Sequence, residues 1–137
     1  NFIDLRTNKT VTDAYAMETY GSLKVAYVGV STPETFTKST PTYFQDENGN
    51  YIYSFCEDDD GSALYKVVQD TVDEVKKAGA DYVIALAHLG NEGITDIWTS
   101  KAVIANTMAD ESTAQYIFVF IRKSSFLHNR PNIQRSG

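Results

Sequence analysis

With 137 residues, 42% of them hydrophobic and 22% charged, the chain is long enough for one domain with a real core and too short for two. Its composition is neither disordered nor collagen-like, its single cysteine, Cys56, excludes an intrachain disulfide, and no apolar run reaches the roughly 18 residues of a membrane-spanning helix. The net charge of −6 is uneven: residues 1–111 carry all 18 acids and eight of the 12 bases, whereas residues 112–137 carry no acid and four bases.

The opening Asn1-Phe2-Ile3-Asp4 reads like the interior of a longer sequence, so the lack of a leader is uninformative about compartment. Leu23 to Val30 is β-branched and aromatic with only Lys24 charged, which predicts a buried strand of a parallel sheet. Residues 31–61 are rich in turns. Pro33 and Pro41 interrupt them, and an Asn48-Gly49 turn precedes Tyr51-Ile52-Tyr53-Ser54-Phe55, a small hairpin or short strand. An excursion of that length is expected to shape a site or cover a sheet edge.

The spacing predicts a helix over 63–78. Leu64, Val67, Val68, Thr71, Val72, Val75 and Ala78 form one apolar stripe, Ser62 is the expected N-cap, Lys76 and Lys77 suit the last turn, and Gly79 follows as the terminating residue. Tyr82 to Ala87 then runs apolar into His88, and a strand, a helix and a second apolar strand make a βαβ unit. His88 is thereby placed at the carboxyl end of a parallel strand, where ligands collect in open α/β sheets. Gly90 and Gly93 flank the loop behind it. Residues 97–108 suggest a shorter helix capped by Thr99 or Ser100, and Gln115 to Ile121 reads as another strand. After Arg122 no periodicity is usable.

Few residues offer chemistry. His88 is either a packed histidine bonded to backbone or a metal ligand or general acid/base. His128 lies in the irregular tail. No HxxxH, HxH or CxxC spacing is present, so local motifs do not build a complete metal site. Asp58-Asp59-Asp60 could bind a hard cation but fits a solvated acidic helix start better. Acids beside Cys56 disfavour its thiolate. Arg122, Lys123, Arg130 and Arg135 are too scattered to indicate nucleic acid, which is not expected as a partner.

Leu23-Lys24-Val25-Ala26-Tyr27-Val28-Gly29-Val30-Ser31-Thr32-Pro33-Glu34-Thr35 resembles the KVAVIGLTTPET strand of the 5′-nucleotidase family of calcineurin-like metallophosphoesterases, and residues 79–90 resemble its GADVVIALTHLG segment. Asn1-Phe2 is similar to a SANI stretch that precedes both, and the order, the spacing and Tyr43-Phe44 in the insertion fit as well. The likeness spans about residues 1–108. It implies a four-layer α/β/β/α sandwich carrying two divalent metal ions at its strand ends, which activate water for attack on a phosphate ester. Of the family's ligands only the histidine of the HLG segment lands here, as His88. The DxH, GDxxD and GNH(D/E) motifs would lie upstream of Asn1, and where GHxH is expected the chain reads Met108-Ala109-Asp110-Glu111 instead.

The reading is therefore an α/β fragment of that sandwich, mostly parallel, with one long amphipathic crossover helix. Residues 1–111 form the carboxyl-terminal half of a catalytic domain, and 112–137 an atypical basic tail from a frameshift, truncation or altered end. A nucleotide or other phosphate ester is the expected substrate of the complete protein, in an extracellular, periplasmic or cell-wall setting. The chain alone is expected to be inactive, to hold no metal stably and to associate with itself through open sheet edges, without membrane insertion. The alternative is a non-catalytic α/β module that only folds and self-associates. A flavodoxin-like domain would need an acidic or glycine-rich site after residue 30, and none is evident.

Overall fold

A computed structural model describes residues 1–90, 95–107 and 115–120. In chain order its elements are β1 (Ile3–Asp4), β2 (Lys9–Thr10), β3 (Tyr15–Tyr20), β4 (Leu23–Ser31), a short α1 (Thr35–Lys38), β5 (Tyr53–Ser54), α2 (Ser62–Lys77), β6 (Tyr82–His88), α3 (Ser100–Thr107) and β7 (Gln115–Phe120), with 3-10 turns at Pro41–Phe44 and Asp96–Trp98. They make a mixed α/β structure with two sheets, one of order β3-β4-β6-β7 and one of order β2-β1-β5.

Parallel pairing is confined to β4-β6 and β6-β7; β3-β4, β1-β2 and β1-β5 are antiparallel. The expected parallel pairing holds for β4, β6 and β7, while the remaining strands are antiparallel; β1-β2 and β3-β4 are joined by short turns, which allow only antiparallel pairing. Strand β3 carried no clear period in Tyr-Ala-Met-Glu-Thr-Tyr and is held by its partner β4. Of the expected hairpin or short strand near Tyr51, the chain forms an isolated bridge from Gln45 to Tyr51 and then the short strand Tyr53–Ser54, which pairs with β1.

The larger sheet has one covered face. Ala26, Val28 and Val30 of β4 and Val83 and Ala87 of β6 pack with Leu64, Val68, Val72 and Val75 of α2, joined by Leu89 and Val103. Each Val or Leu among them contributes about 1.5–3 kcal/mol when fully buried. On the opposite face Tyr20, Leu23 and Leu86 are 56%, 44% and 42% exposed. The strand expected to be buried is thus buried mainly on the α2 side, at Ala26, Val28 and Val30, with Val25 the one buried residue of its other face.

Helix α2 follows its apolar stripe, with Val67 half-buried against the core, and departs from it only at Ala78, which caps the helix and is exposed. The N-cap is Gly61 at φ +82°, not Ser62. Ser62 has moved into the helix because the carboxylate of Asp58 does the capping, accepting from Gly61 N–H at 2.7 Å, Ala63 N–H at 2.7 Å and the Ser62 hydroxyl at 2.8 Å. At the other end Gly79, φ +91°, donates to Lys76 O and Ala80 donates to Val75 O, the paired bonds of a Schellman stop. Helix α3 starts where Thr99 was expected to cap it, with Ala102 N–H donating to Thr99 Oγ1 at 3.2 Å.

A second cluster lies under the small sheet. Phe55, 5% exposed, has its ring centroid 4.8 Å from Phe2, 5.2 Å from Phe36 and 5.8 Å from Phe44, and Tyr51 and Tyr53 extend the set. The excursion 31–61 is thereby largely accounted for: it carries five of the six rings, of which Phe44, Tyr53 and Phe55 pack directly on Phe2.

Candidate functional site

A cleft of about 360 Å³ opens at the carboxyl ends of β4 and β6. Gly29, Val30 and Ser31 form one wall, Leu86 and His88 another, and Asn1, Phe2, Thr10, Thr12, Asp13 and Ala14 close it from the amino-terminal segment. Its origin is topological. Strand β3 begins at Tyr15 opposite Val28, so the last three residues of β4 have no strand on that side. The chain before Tyr15 bends across the gap and leaves a hollow. The size falls within the range of small-ligand sites.

His88 closes β6 opposite Ser31 of β4, and Thr32 N–H donates to its carbonyl at 3.2 Å. Alternation along the strand turns its ring away from the aliphatic core, and it is exposed. The ring makes no hydrogen bond among the described residues, and its exposure departs from the alternative of a packed histidine. Asp13 is the other ionisable side chain lining the cleft; Thr10, Thr12 and Ser31 bring hydroxyls. An exposed imidazole in such a place can give a lone pair to a cation or, protonated, a hydrogen bond to an anion.

Among the described residues no three His, Cys, Asp or Glu side chains converge. The aspartate run does not serve: Asp58 is committed to the start of α2, and Ser62 N–H donates to Asp60 at 2.9 Å, a bond that holds the Asp60 carboxyl below its ordinary range. Cys56 is half-buried at φ +61°, and burial first, with Glu57 and Asp58 adding to it, pushes its thiol up. That agrees with an unreactive thiol but moves the main cause from neighbouring charge to burial. His128 and the bases Arg122, Lys123, Arg130 and Arg135 lie outside the described residues.

Asp13, Thr10 and Thr12 escaped sequence reasoning. They lie in a stretch with no usable period and reach the cleft only through the pairing of strands two residues long.

The chain matches no protein-family model, and no curated protein matches its sequence. Among solved structures it is similar to a sulfate thiohydrolase, SoxB, of Thermus thermophilus in complex with glycerol, at 26% identity and a TM-score of 0.49 over 66% of this chain. The chain spans 14% of the length of that protein. Among the described residues no helix is long and apolar enough to cross a membrane.

Proposed function

We propose that the chain is part of a metal-dependent phosphoesterase of the 5′-nucleotidase type. In the complete protein it would belong to a four-layer sandwich that hydrolyses nucleotide or related phosphate monoesters outside the cytoplasm. Residues 1–111 would supply the carboxyl-terminal half of that domain, and 112–137 an atypical tail. The observation that carries the reading is the place of His88, an exposed imidazole without a hydrogen-bond partner among the described residues, in a cleft at the carboxyl end of a parallel strand. It stands on the segments 23–35 and 79–90, whose likeness to the family brings that histidine to a ligand position.

One imidazole is a weak ligand, and the described residues do not fit a two-ion centre by themselves. The remaining donors of such a centre would lie outside them. We therefore propose that this chain alone hydrolyses no phosphate ester. The test is an assay with a generic phosphomonoester and Mn²⁺. No turnover above buffer is expected; turnover lost in His88→Ala would overturn the proposal of inactivity, and turnover retained in His88→Ala would remove His88 from the site.

A second reading, a module that folds and self-associates, draws on the exposed Tyr20, Leu23 and Leu86 on one sheet face and on β3, which is paired with β4 along only one edge. Light scattering after size exclusion addresses it. A dimer or larger species is expected, and a monomer at high concentration would rule the association out.

A further inference from the structure

We propose that Asn1 is a positioning residue for the cleft, its carboxamide standing in for the strand that β4 lacks at its carboxyl end. A residue in a strand points its N–H and C=O to the same side, and a strand end without a neighbour leaves both groups unpaired. At Ser31 that side is the one β3 has left, since the β3-β4 register ends at Tyr15 and Val28. The Asn1 side chain fills both positions. Its Oδ1 accepts from Ser31 N–H at 2.9 Å, and its Nδ2 donates to Ser31 O at 2.7 Å. The second Nδ2 hydrogen goes to Phe55 O at 2.7 Å.

Three bonds from one side chain thus join two segments lying 30 and 54 residues away. The geometry uses the whole carboxamide. Serine or threonine could not donate twice and accept once from one planar group, and aspartate has the acceptor but no donor. The clamp acts on the functional wall of the cleft. Ser31 lies opposite His88 in the parallel register, and the next residue, Thr32, donates to the His88 carbonyl. The clamp also ties Phe55, the most enclosed ring of the aromatic cluster, to the edge of the larger sheet. Loss of the carboxamide frees the end of β4 and with it the spacing between Ser31, His88 and the amino-terminal wall.

The functional meaning of this clamp rests on the reading of the cleft as a site, but its test needs no ligand, so the two fail separately. Amide exchange and the His88 ring signals are followed by NMR in the unaltered chain, in Asn1→Ala and in Asn1→Asp. In Asn1→Ala the Ser31 amide, which loses its acceptor, is expected to exchange about tenfold faster or more, with Thr32 following, while Val28 and Ala85 stay within about twofold. The His88 ring signals shift with no change in the melting of α2, a pattern that general destabilisation would not give. Asn1→Asp keeps the acceptor for Ser31 N–H and loses both donors, so it protects the Ser31 amide but displaces the ring signals as in Asn1→Ala. Uniform acceleration at all amides, or His88 signals that do not move in either variant, would overturn the assignment. Phosphoesterase results leave this outcome untouched.

Discussion

Around α2 the interior is made of Val, Ala and Leu delivered by a few continuous elements; around Phe55 it is made of six rings delivered by Phe2, Phe36, Phe44, Tyr51, Tyr53 and Phe55 from turns, a bridge and two-residue strands. The aliphatic region is secured by periodic backbone structure, and its side chains fill the space between a helix and a sheet. In the aromatic region the order is reversed, for two-residue strands have almost no ladder of their own and the rings hold them in place. The candidate cleft lies where the two regions meet.

Truncating one side chain in each region gives the largest effects. Leu64, fully buried beneath the sheet, is expected to cost about 2–5 kcal/mol as Leu64→Ala, and Phe55→Ala about 3–5 kcal/mol, against roughly 5–15 kcal/mol for a whole domain. Thermal melts read by far-UV and near-UV circular dichroism separate the regions. Both variants are expected to shift the two signals together, since the Asn1 carboxamide and the Ser31 ladder bind the regions to each other. If Phe55→Ala bleached the near-UV signal and left the far-UV transition in place, the aromatic region would be a flap rather than a second core.

Smaller effects come from the two ends of α2. Gly61 and Gly79 both have left-handed backbone, but a Cβ at Gly61 would lie 2.6 Å from the Tyr65 ring and 3.1 Å from Ile97 O, whereas at Gly79 its nearest neighbour is Lys24 Nζ at 3.6 Å. Gly61→Ala must displace Tyr65, whose hydroxyl donates to Ile97 O at 2.6 Å, and is expected to cost about 2–3 kcal/mol. Gly79→Ala carries the backbone cost alone, about 1–2 kcal/mol. Urea melts that rank the two in the opposite order would mean that Tyr65 does not brace the start of α2 against the 3-10 turn at Asp96–Trp98.

The same contrast explains what the sequence discloses. Helix α2 was legible because Leu64, Val68, Val72 and Val75 recur at helical spacing, and β6 because an apolar run ends at His88 and Gly90. The cap was misplaced by the local rule that favours Ser62; Asp58, four residues back, wins because Gly61 can turn the chain through positive φ. Strands β1 and β2 are too short to show any period. Of the cleft, His88 could be found as the end of a strand, while Asp13 and Thr12 come from a segment whose path is set by tertiary pairing. The Asn1 clamp reaches across 30 and 54 residues and leaves no local trace.

Acid should reveal the aromatic side more than the helical one. Asp46 is held below the ordinary carboxyl range first by the Asn50 backbone N–H and then by the Asn50 side chain, and Asp4 is lowered chiefly by the Arg6 side chain. Both belong to the ring-held region; Asp60, at the start of α2, is lowered by Ser62. A carboxyl whose folded value is depressed stabilises the fold fully above its ordinary pKa, near 4, and loses that contribution as pH falls through the lower folded value. Asp60 is exposed and Asp4 and Asp46 lie half-buried at the surface, so each effect is a modest change of slope. Melting temperature followed from pH 5 to pH 2 is expected to fall less steeply in Asp46→Asn than in the unaltered chain, because the variant has no charge to lose there. Its near-UV signal should carry the difference. Equal acid limbs would mean that the turn at Asp46–Asn50 is already released before Asp46 takes its proton, and that rings rather than this carboxylate set the position of the loop.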